Sequence, residues 1–246
     1  MSLTSDSPRR RAGTNGKQAC ADELRAGILT RVIAPGSDLD ETELANHYGL
    51  SRTPLREVLQ LLSGEGFITL QPNRGARVSS MDFAVMRSFF QTAPLIYATA
   101  ARLAAKNRST EQLGELKATQ GVFRKAIQMG DGAEAALNNH RFHALIGEMA
   151  HNAYLMPSLN RLLIDHTRLG QTFYHPESGT ERMLVLKAAD QHDAMIAAIE
   201  DRNAEDAAEL TLQHWDLSRD RMARYVQPDP LPLQTTDITR NRSDAI

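Results

Sequence analysis

The chain holds a single cysteine among its 246 residues. That excludes a disulfide framework and any zinc site built on cysteine pairs. No segment approaches the roughly 18 consecutive apolar residues that would span a bilayer. The N-terminal stretch has no apolar run able to serve as the core of a signal peptide, so a reducing cytoplasm is the expected compartment. Charge of one sign is also lacking: the net charge is −2. This excludes a wholly basic coat for nucleic acid and leaves room for a local one. With 41 % hydrophobic residues there is enough apolar material for one large or two small domains. What is present in excess is histidine toward the C-terminal side. Only His47 lies in the first half, and the other seven fall between positions 140 and 214.

Composition divides the chain into four parts. Residues 1–15 read as a disordered arm, and the prolines at 228, 230 and 232 make 227–246 a disordered tail. Residues 16–80 carry helical patterns followed by two short strand-like runs. Residues 81–226 are rich in Ala, Leu, Met and Glu at helical spacing, without a credible strand. The fold class that follows is mainly α, with a small β-hairpin near the end of the first domain and an all-α antiparallel bundle in the second.

In the first domain Ala21, Leu24, Ile28 and Val32 predict an amphipathic helix over about 17–33, and Pro35-Gly36 a turn. Asp40 with Glu43 reads as a capping-box-like start, and Gly49 as a left-handed stop. Ser51 is placed to cap a third helix, with Pro54 in its first turn and Leu55, Val58, Leu59 and Leu62 as its buried stripe. Two short helices joined by a glycine-containing turn form a helix-turn-helix unit. Arg52 and Arg56 then share an outer face, beside the hydroxyls of Ser51 and Thr53. Arginine forks suit guanine edges and phosphates, and hydroxyls suit phosphate oxygens. Phe67–Leu70 and Ala76–Val78 predict a hairpin whose tip carries Arg74 and Gly75. Such a wing can reach the neighbouring minor groove.

The run Leu50-Ser51-Arg52-Thr53-Pro54-Leu55-Arg56-Glu57-Val58-Leu59, then Leu62, Glu65-Gly66-Phe67 and Arg74-Gly75-Ala76-Arg77-Val78, resembles the winged helix-turn-helix of GntR-type bacterial transcription regulators. Ile28-Leu29, Pro35-Gly36 and Leu39 fit the same pattern. The resemblance implies that Arg52, Thr53 and Arg56 dock in the major groove with Ser51 on the backbone, and that Arg74 and Gly75 form the wing tip. Thr42 departs from it, since some relatives carry an arginine there.

In the second domain three histidines interrupt apolar helical faces. His143 follows Asn139 and Phe142 and precedes Ile146 and Met149. His192 lies with Leu184, Ala188, Met195, Ile196 and Ile199. His214 lies with Ala207, Leu210 and Leu217. Three inward imidazoles and the Asn139 amide oxygen suit zinc or another divalent transition metal, with positions left for water or ligand. Each histidine alone reads more readily as a hydrogen-bonded core residue, and only the three together bring the metal reading level with that one. The segments Asn139-His140-Arg141-Phe142-His143, Asn152, Gln191-His192, Ile196, Ala197-Ala198-Ile199 and His214 resemble the all-helical FCD ligand-binding domain of the FadR branch. Many of its members bind a metal with one Asp and three His. The resemblance implies Asn139, His143, His192 and His214 as ligands, with Asn139 in the place of the Asp.

The length of the domain favours the six-helix, VanR-like form over the seven-helix one. Pro94 is expected to kink or restart the opening helix. For an effector, Tyr97, His166, Arg102 and Arg168 are candidates, the arginines as partners for a carboxylate. Surface arginines and a core tyrosine are the alternatives. His140 and His151 read as surface or helix-end residues.

Together these features predict a homodimeric repressor that binds a palindromic operator in double-stranded DNA. Its release would follow binding of a small carboxylate-bearing metabolite beside the metal. A regulator that senses the metal itself is the alternative. A metal-dependent hydrolase is a remote one, because no general base at motif spacing, nucleophile elbow or phosphate loop is present. The prediction is therefore a non-enzymatic protein.

Overall fold

The computed structural model describes residues 14–71 and 75–224. The stretch expected to be an arm (apart from its last two residues), residues 225–246 with the tail expected over 227–246, and Pro72, Asn73 and Arg74, expected at the wing tip, lie outside the described residues.

The first part packs α1 (Thr14–Leu29), α2 (Glu41–Tyr48) and α3 (Arg52–Glu65) against a three-stranded antiparallel sheet. The helix predicted over 17–33 instead occupies 14–29. Arg31 takes a left-handed φ of 63°, the chain turns, and Val32 is left 59 % exposed while Ile33 packs on the core. Asp40 caps α2 by accepting from the amides of Thr42 and Glu43 at 2.7 and 3.0 Å. Gly49 ends that helix at φ 62°, a conformation that costs glycine little. Ser51 is the N-cap residue of α3, but its hydroxyl makes no cap hydrogen bond.

Strands β2 (Ile68–Gln71) and β3 (Gly75–Val78) form the hairpin, with Leu70 opposite Ala76. A third strand, β1 (Asp38–Leu39), pairs with the other side of β3, Leu39 opposite Ala76. Two residues are too few to show a period, so the sequence carried no signal for it. Leu24, Ile28, Leu55, Leu59, Leu62, Ile68 and Val78 close the core of this part.

Among the described residues six helices follow: α4 (Phe83–Asn107), α5 (Thr110–Met129), α6 (Gly132–Met149), α7 (Leu155–Phe173), α8 (Gly179–Glu200) and α9 (Ala204–Arg224). Buried Ala100, Ala101 and Ala104 on α4 are small enough for α9 to come close, where it buries Ala204 and Ala207. Pro94 does not restart α4, which runs through it as one 25-residue helix. Phe142, Leu145, Met149, Leu159, Met195, Ile199 and Trp215 fill the centre.

Helix α7 is buried on every side from Leu162 to Gly170. One face looks into the helical bundle. The other supplies Ile164 to the core of the winged part. This helix is the seam of the molecule.

Candidate DNA interface and histidine centre

Helix α3 buries Leu55, Val58, Leu59 and Leu62 and turns Ser51, Arg52, Thr53 and Arg56 to solvent. Among the described residues neither Arg52 nor Arg56 takes part in an ion pair. By contrast, Glu57 on the same helix binds Lys17, and Arg25 forks onto Glu65 at 2.8 Å through two nitrogens. Two guanidinium groups therefore stand available on the first turns of α3. Gly75 has φ 79°, and a Cβ there would meet nothing closer than 3.5 Å, so backbone conformation rather than space calls for glycine. Thr42 is exposed at the start of α2.

In the helical part α6, α8 and α9 bring His143, His192 and His214 together, with one ligand atom of each within 4.8 Å of the others. All three are buried. Burial drives the pKa of His143 and His192 well below the ordinary value and that of His214 down to about 4. The neighbouring imidazoles push His143 and His192 in the same direction. Neutral imidazole is the form that binds a metal. Asn139, one turn before His143 on α6, is buried as well.

Three observations test whether these residues suit a cation. The Asn139 Oδ1 and His143 Nε2 atoms are buried without a hydrogen-bond partner. Such an orphaned group is costly unless something else satisfies it. His192 Nε2 lies 3.2 Å from His214 Nε2. The far nitrogen of each ring meets a glutamine oxygen: Gln120 Oε1 at 3.0 Å from His192 Nδ1, and Gln191 Oε1 at 3.3 Å from His214 Nδ1. With Nδ1 protonated, His192 Nε2 is a bare lone pair, and its approach to the second nitrogen requires a proton or a cation between them. The donor set is one that can hold a divalent transition metal.

Aromatic rings set the imidazole planes. Phe142 stacks on His192 at 3.9 Å with 9° between the planes. Tyr97 meets His143 edge-on at 5.4 Å and stacks on Trp215 at 6.0 Å. The Tyr97 hydroxyl is 2.9 Å from His166 Nδ1. Both groups are buried, and burial lowers the His166 pKa to about 3. Beside them a cavity of about 10 Å³, lined by His166, Gly170, His214 and Ser218 among others, has room for about one water.

Of the four effector candidates, Tyr97 and His166 thus lie at the histidine centre. The two arginines do not. Arg102 is on the outside of α4 and forks onto Glu205 at 3.1 and 2.6 Å. Arg168 is fully buried on the other face of α7, where it binds Asp165 and donates to the Ser79 carbonyl at 2.8 Å. Spacing placed both on plausible faces, but it could not show that a carboxylate of the protein already faces each of them. His140 also differs from expectation: it is half-buried, and its Nδ1 meets the Thr167 hydroxyl at 2.8 Å. His151 is exposed just past the end of α6, as read from the sequence.

Residues that the sequence reading missed include Gln120 and Trp215. Gln120 interrupts the α5 stripe of Leu113, Leu116 and Phe123 just as the histidines interrupt theirs. The same rule, applied to amides as well as imidazoles, would have found it.

Among the described residues no helix is long and apolar enough to cross a membrane. Residues 17–78 match the family described as bacterial regulatory proteins, gntR family, and residues 90–217 match the FCD domain. A transcriptional regulator of Bacillus subtilis, YdhC, is 25 % identical over 198 residues, covering 79 % of this chain and 85 % of its own. The HTH-type transcriptional repressor RspR of Escherichia coli is 26 % identical over 191 residues, covering 78 % and 82 %. The structure of E. coli McbR/YncC shares the fold, with a TM-score of 0.70 at 17 % identity over 86 % of this chain and 99 % of that one. The chain belongs to the gntR family of bacterial regulatory proteins, carries its FCD domain, and is a transcription regulator rather than an enzyme.

Proposed function

We propose that this regulator is a repressor whose operator binding is controlled by a small anionic metabolite, such as a carboxylate, bound at a divalent metal in the FCD domain. The observation that carries the reading is helix α7. His166 on one face lies beside the histidine centre, and Arg168 and Ile164 on the other are built into the winged part. A ligand that favours one position of α7 would therefore bias the position of the recognition helix, as differential binding requires.

Asn139, His143, His192 and His214 would hold the metal, with zinc as the ion best suited to three imidazoles. A bound ion supplies a Lewis-acidic position for a ligand oxygen. All four protein ligands are neutral, so an anionic ligand would offset the charge of the ion in a buried place. The cavity beside the centre is too small for a metabolite, so entry requires the packing of α7, α8 and α9 around it to open. Ser51, Arg52, Thr53 and Arg56 would meet the major groove, with Arg74 and Gly75 at the wing. A second copy would match a palindromic operator. The outward α4 face of Ala84, Ser88, Leu95 and Thr99 is small and uncharged enough to receive it. The repressor sign is supported by the name of the E. coli relative.

Native mass spectrometry of the purified chain, with and without chelator, tests the assembly and the metal together. The expected result is a dimer carrying one metal per chain. A monomer, or a chain that takes up no metal from added zinc, would overturn the corresponding part of the reading. A second reading, in which the metal alone is the signal, is favoured by the small size of that cavity, which leaves no room for a metabolite beside the three histidines. Under it, chelation alone switches operator affinity, measured by fluorescence anisotropy.

A further inference from the structure

Gln120 stands apart from the four candidate ligands, on α5, and is itself buried. Its amide nitrogen donates to two groups, the Ala189 carbonyl at 2.8 Å and Asp193 Oδ1 at 2.9 Å. Both are acceptors only, so the amide can point in just one direction. The remaining oxygen must then face His192 Nδ1, 3.0 Å away. A carbonyl oxygen accepts, so Nδ1 must carry the proton of the neutral ring. The lone pair is left on Nε2, which faces His214 and His143.

The arrangement continues outward. Asp193 is held by Arg124, which also binds Asp190 at 2.8 Å. Phe142 and Phe123 lie against the ring of His192 at 3.9 and 4.9 Å. Rotation and tautomer of this one imidazole are therefore both set by its neighbours. A histidine that merely filled the core would need one satisfied nitrogen. Here Gln120 satisfies the outer nitrogen, and the inner one keeps its lone pair, 3.2 Å from His214 Nε2.

We propose that Gln120 is a positioning residue of the metal centre: it locks His192 as the Nδ1–H tautomer, so that Nε2 is presented as a ligand before any ion arrives. The proposal rests on the metal reading above and deepens it. Outer partners of this kind typically change metal affinity about 10–100-fold when removed.

The test uses full-length protein labelled with ¹⁵N-histidine, together with zinc affinity measured by chelator competition. In the metal-free wild type, long-range ¹H–¹⁵N spectra should place the His192 proton on Nδ1, with the signal assigned by its loss in His192→Asn. Gln120→Met, which fills similar space without an amide, should spread the proton to Nε2 and weaken zinc binding roughly 10–100-fold. A merely structural glutamine would lower thermal stability but move neither quantity. Should the methionine variant not fold, the double variant Gln120→Glu with Asp193→Asn keeps an acceptor against His192 and returns a donor to it. That variant should retain the Nδ1 proton and lose less than about tenfold in zinc affinity. An unchanged tautomer in Gln120→Met, an Nε2 proton in the wild type, or equal zinc affinities overturn the proposal. A wild type that binds no zinc instead removes the metal reading, and the proposal with it.

Discussion

The guanidinium of Arg168 on α7 donates to the backbone carbonyl of Ser79, 2.8 Å away and one residue beyond β3. Arg168 is fully buried, and Asp165, on its own helix, is its counter-charge. Arg161 reaches Asp165 from the other side at 2.8 Å, and Gln171 donates to the Leu29 carbonyl at 3.2 Å. These contacts join the winged part to the bundle through backbone oxygens, which cannot swing away as side chains do. Arg168→Met would leave a buried carboxylate with one partner fewer and the Ser79 carbonyl without its donor. Breaking a buried pair in this way costs on the order of 3 kcal/mol. For a chain of this size that lowers the melting temperature by roughly 10 °C. Arg168→Lys keeps the charge but cannot fork to both partners. It should fold, and the ratio of operator affinities with and without zinc should move toward one.

On the DNA side, Arg52→Ala and Arg56→Ala remove exposed groups that support nothing in the fold. Each should cost roughly 1–3 kcal/mol of specific operator binding if its contact is bidentate to a base. Melting temperatures should stay within about 1 °C, since surface changes of this kind are close to neutral. Anisotropy titrations against the operator and a scrambled duplex separate base reading from phosphate contact. Equal losses on both duplexes would assign the arginine to the backbone.

The histidine centre also makes the metal-free protein sensitive to acid. His214 is held at about 4 and His166 at about 3, each against an ordinary value of 6.5, chiefly by burial. Below 6.5 the unfolded chain binds protons that the folded chain refuses, so stability must fall as pH falls. The loss begins near pH 6.5 and continues through about pH 4 to 3. His214 alone accounts for roughly 3 kcal/mol once pH has dropped below its folded value. Chemical denaturation between pH 8 and 4 in the presence of chelator measures it. A flat profile across that range would show that the imidazoles are solvated after all.

How much of this was legible in the residues depends on what kind of signal each feature needs. Helices α6, α8 and α9 were readable because their apolar periodicity is long, and a polar residue inside it is conspicuous. That logic singled out Asn139, His143, His192 and His214 there and His166 on α7, and the structure buries all five. The recognition helix was readable from its cap, its proline and its stripe. Partners were not readable. Nothing in local spacing distinguishes Arg102, which meets Glu205 across 103 positions, from an arginine awaiting a ligand. The same is true of Arg168 and Ser79, 89 positions apart. Strand β1 and the stop of α1 at Leu29 depend on long-range pairing and on one left-handed residue, Arg31, and neither has a composition cue.

Close backbone approach gives a further prediction at Gly132, the first residue of α6. A Cβ there would lie 2.5 Å from the Tyr174 carbonyl oxygen and 2.6 Å from the His175 ring. The carbonyl belongs to the turn that ends α7 and cannot yield as a side-chain tip would. Gly132→Ala should therefore destabilise by roughly 1–3 kcal/mol, the usual cost of overpacking. That is opposite in sign to the gain alanine brings at an unhindered helical position. Gly114 and Gly121 on α5 have nothing within 4 Å of the same point, so alanine there should be neutral or stabilising. Thermal melts of the three variants decide the matter.

Asn139→Asp offers the sharpest test of the centre, because the expected effect changes sign with the metal. The Asn139 Oδ1 atom is buried and without a hydrogen-bond partner, one turn before His143 on α6, and burial keeps the three imidazoles neutral. Without an ion the new carboxylate would be buried with no cation against it, which costs several kcal/mol or forces it to take up a proton. The metal-free variant should therefore melt below the metal-free wild type. With zinc the carboxylate supplies the negative charge that the neutral ligand set lacks, and affinity should rise by about tenfold or more, following the preference of a divalent ion for an anionic oxygen. The zinc-loaded variant should then melt at or above the zinc-loaded wild type. Paired thermal melts in chelator and in excess zinc give both comparisons. If the variant is less stable by the same amount in both, the residue at 139 does not reach the ion, and the ligand set is reduced to the three histidines.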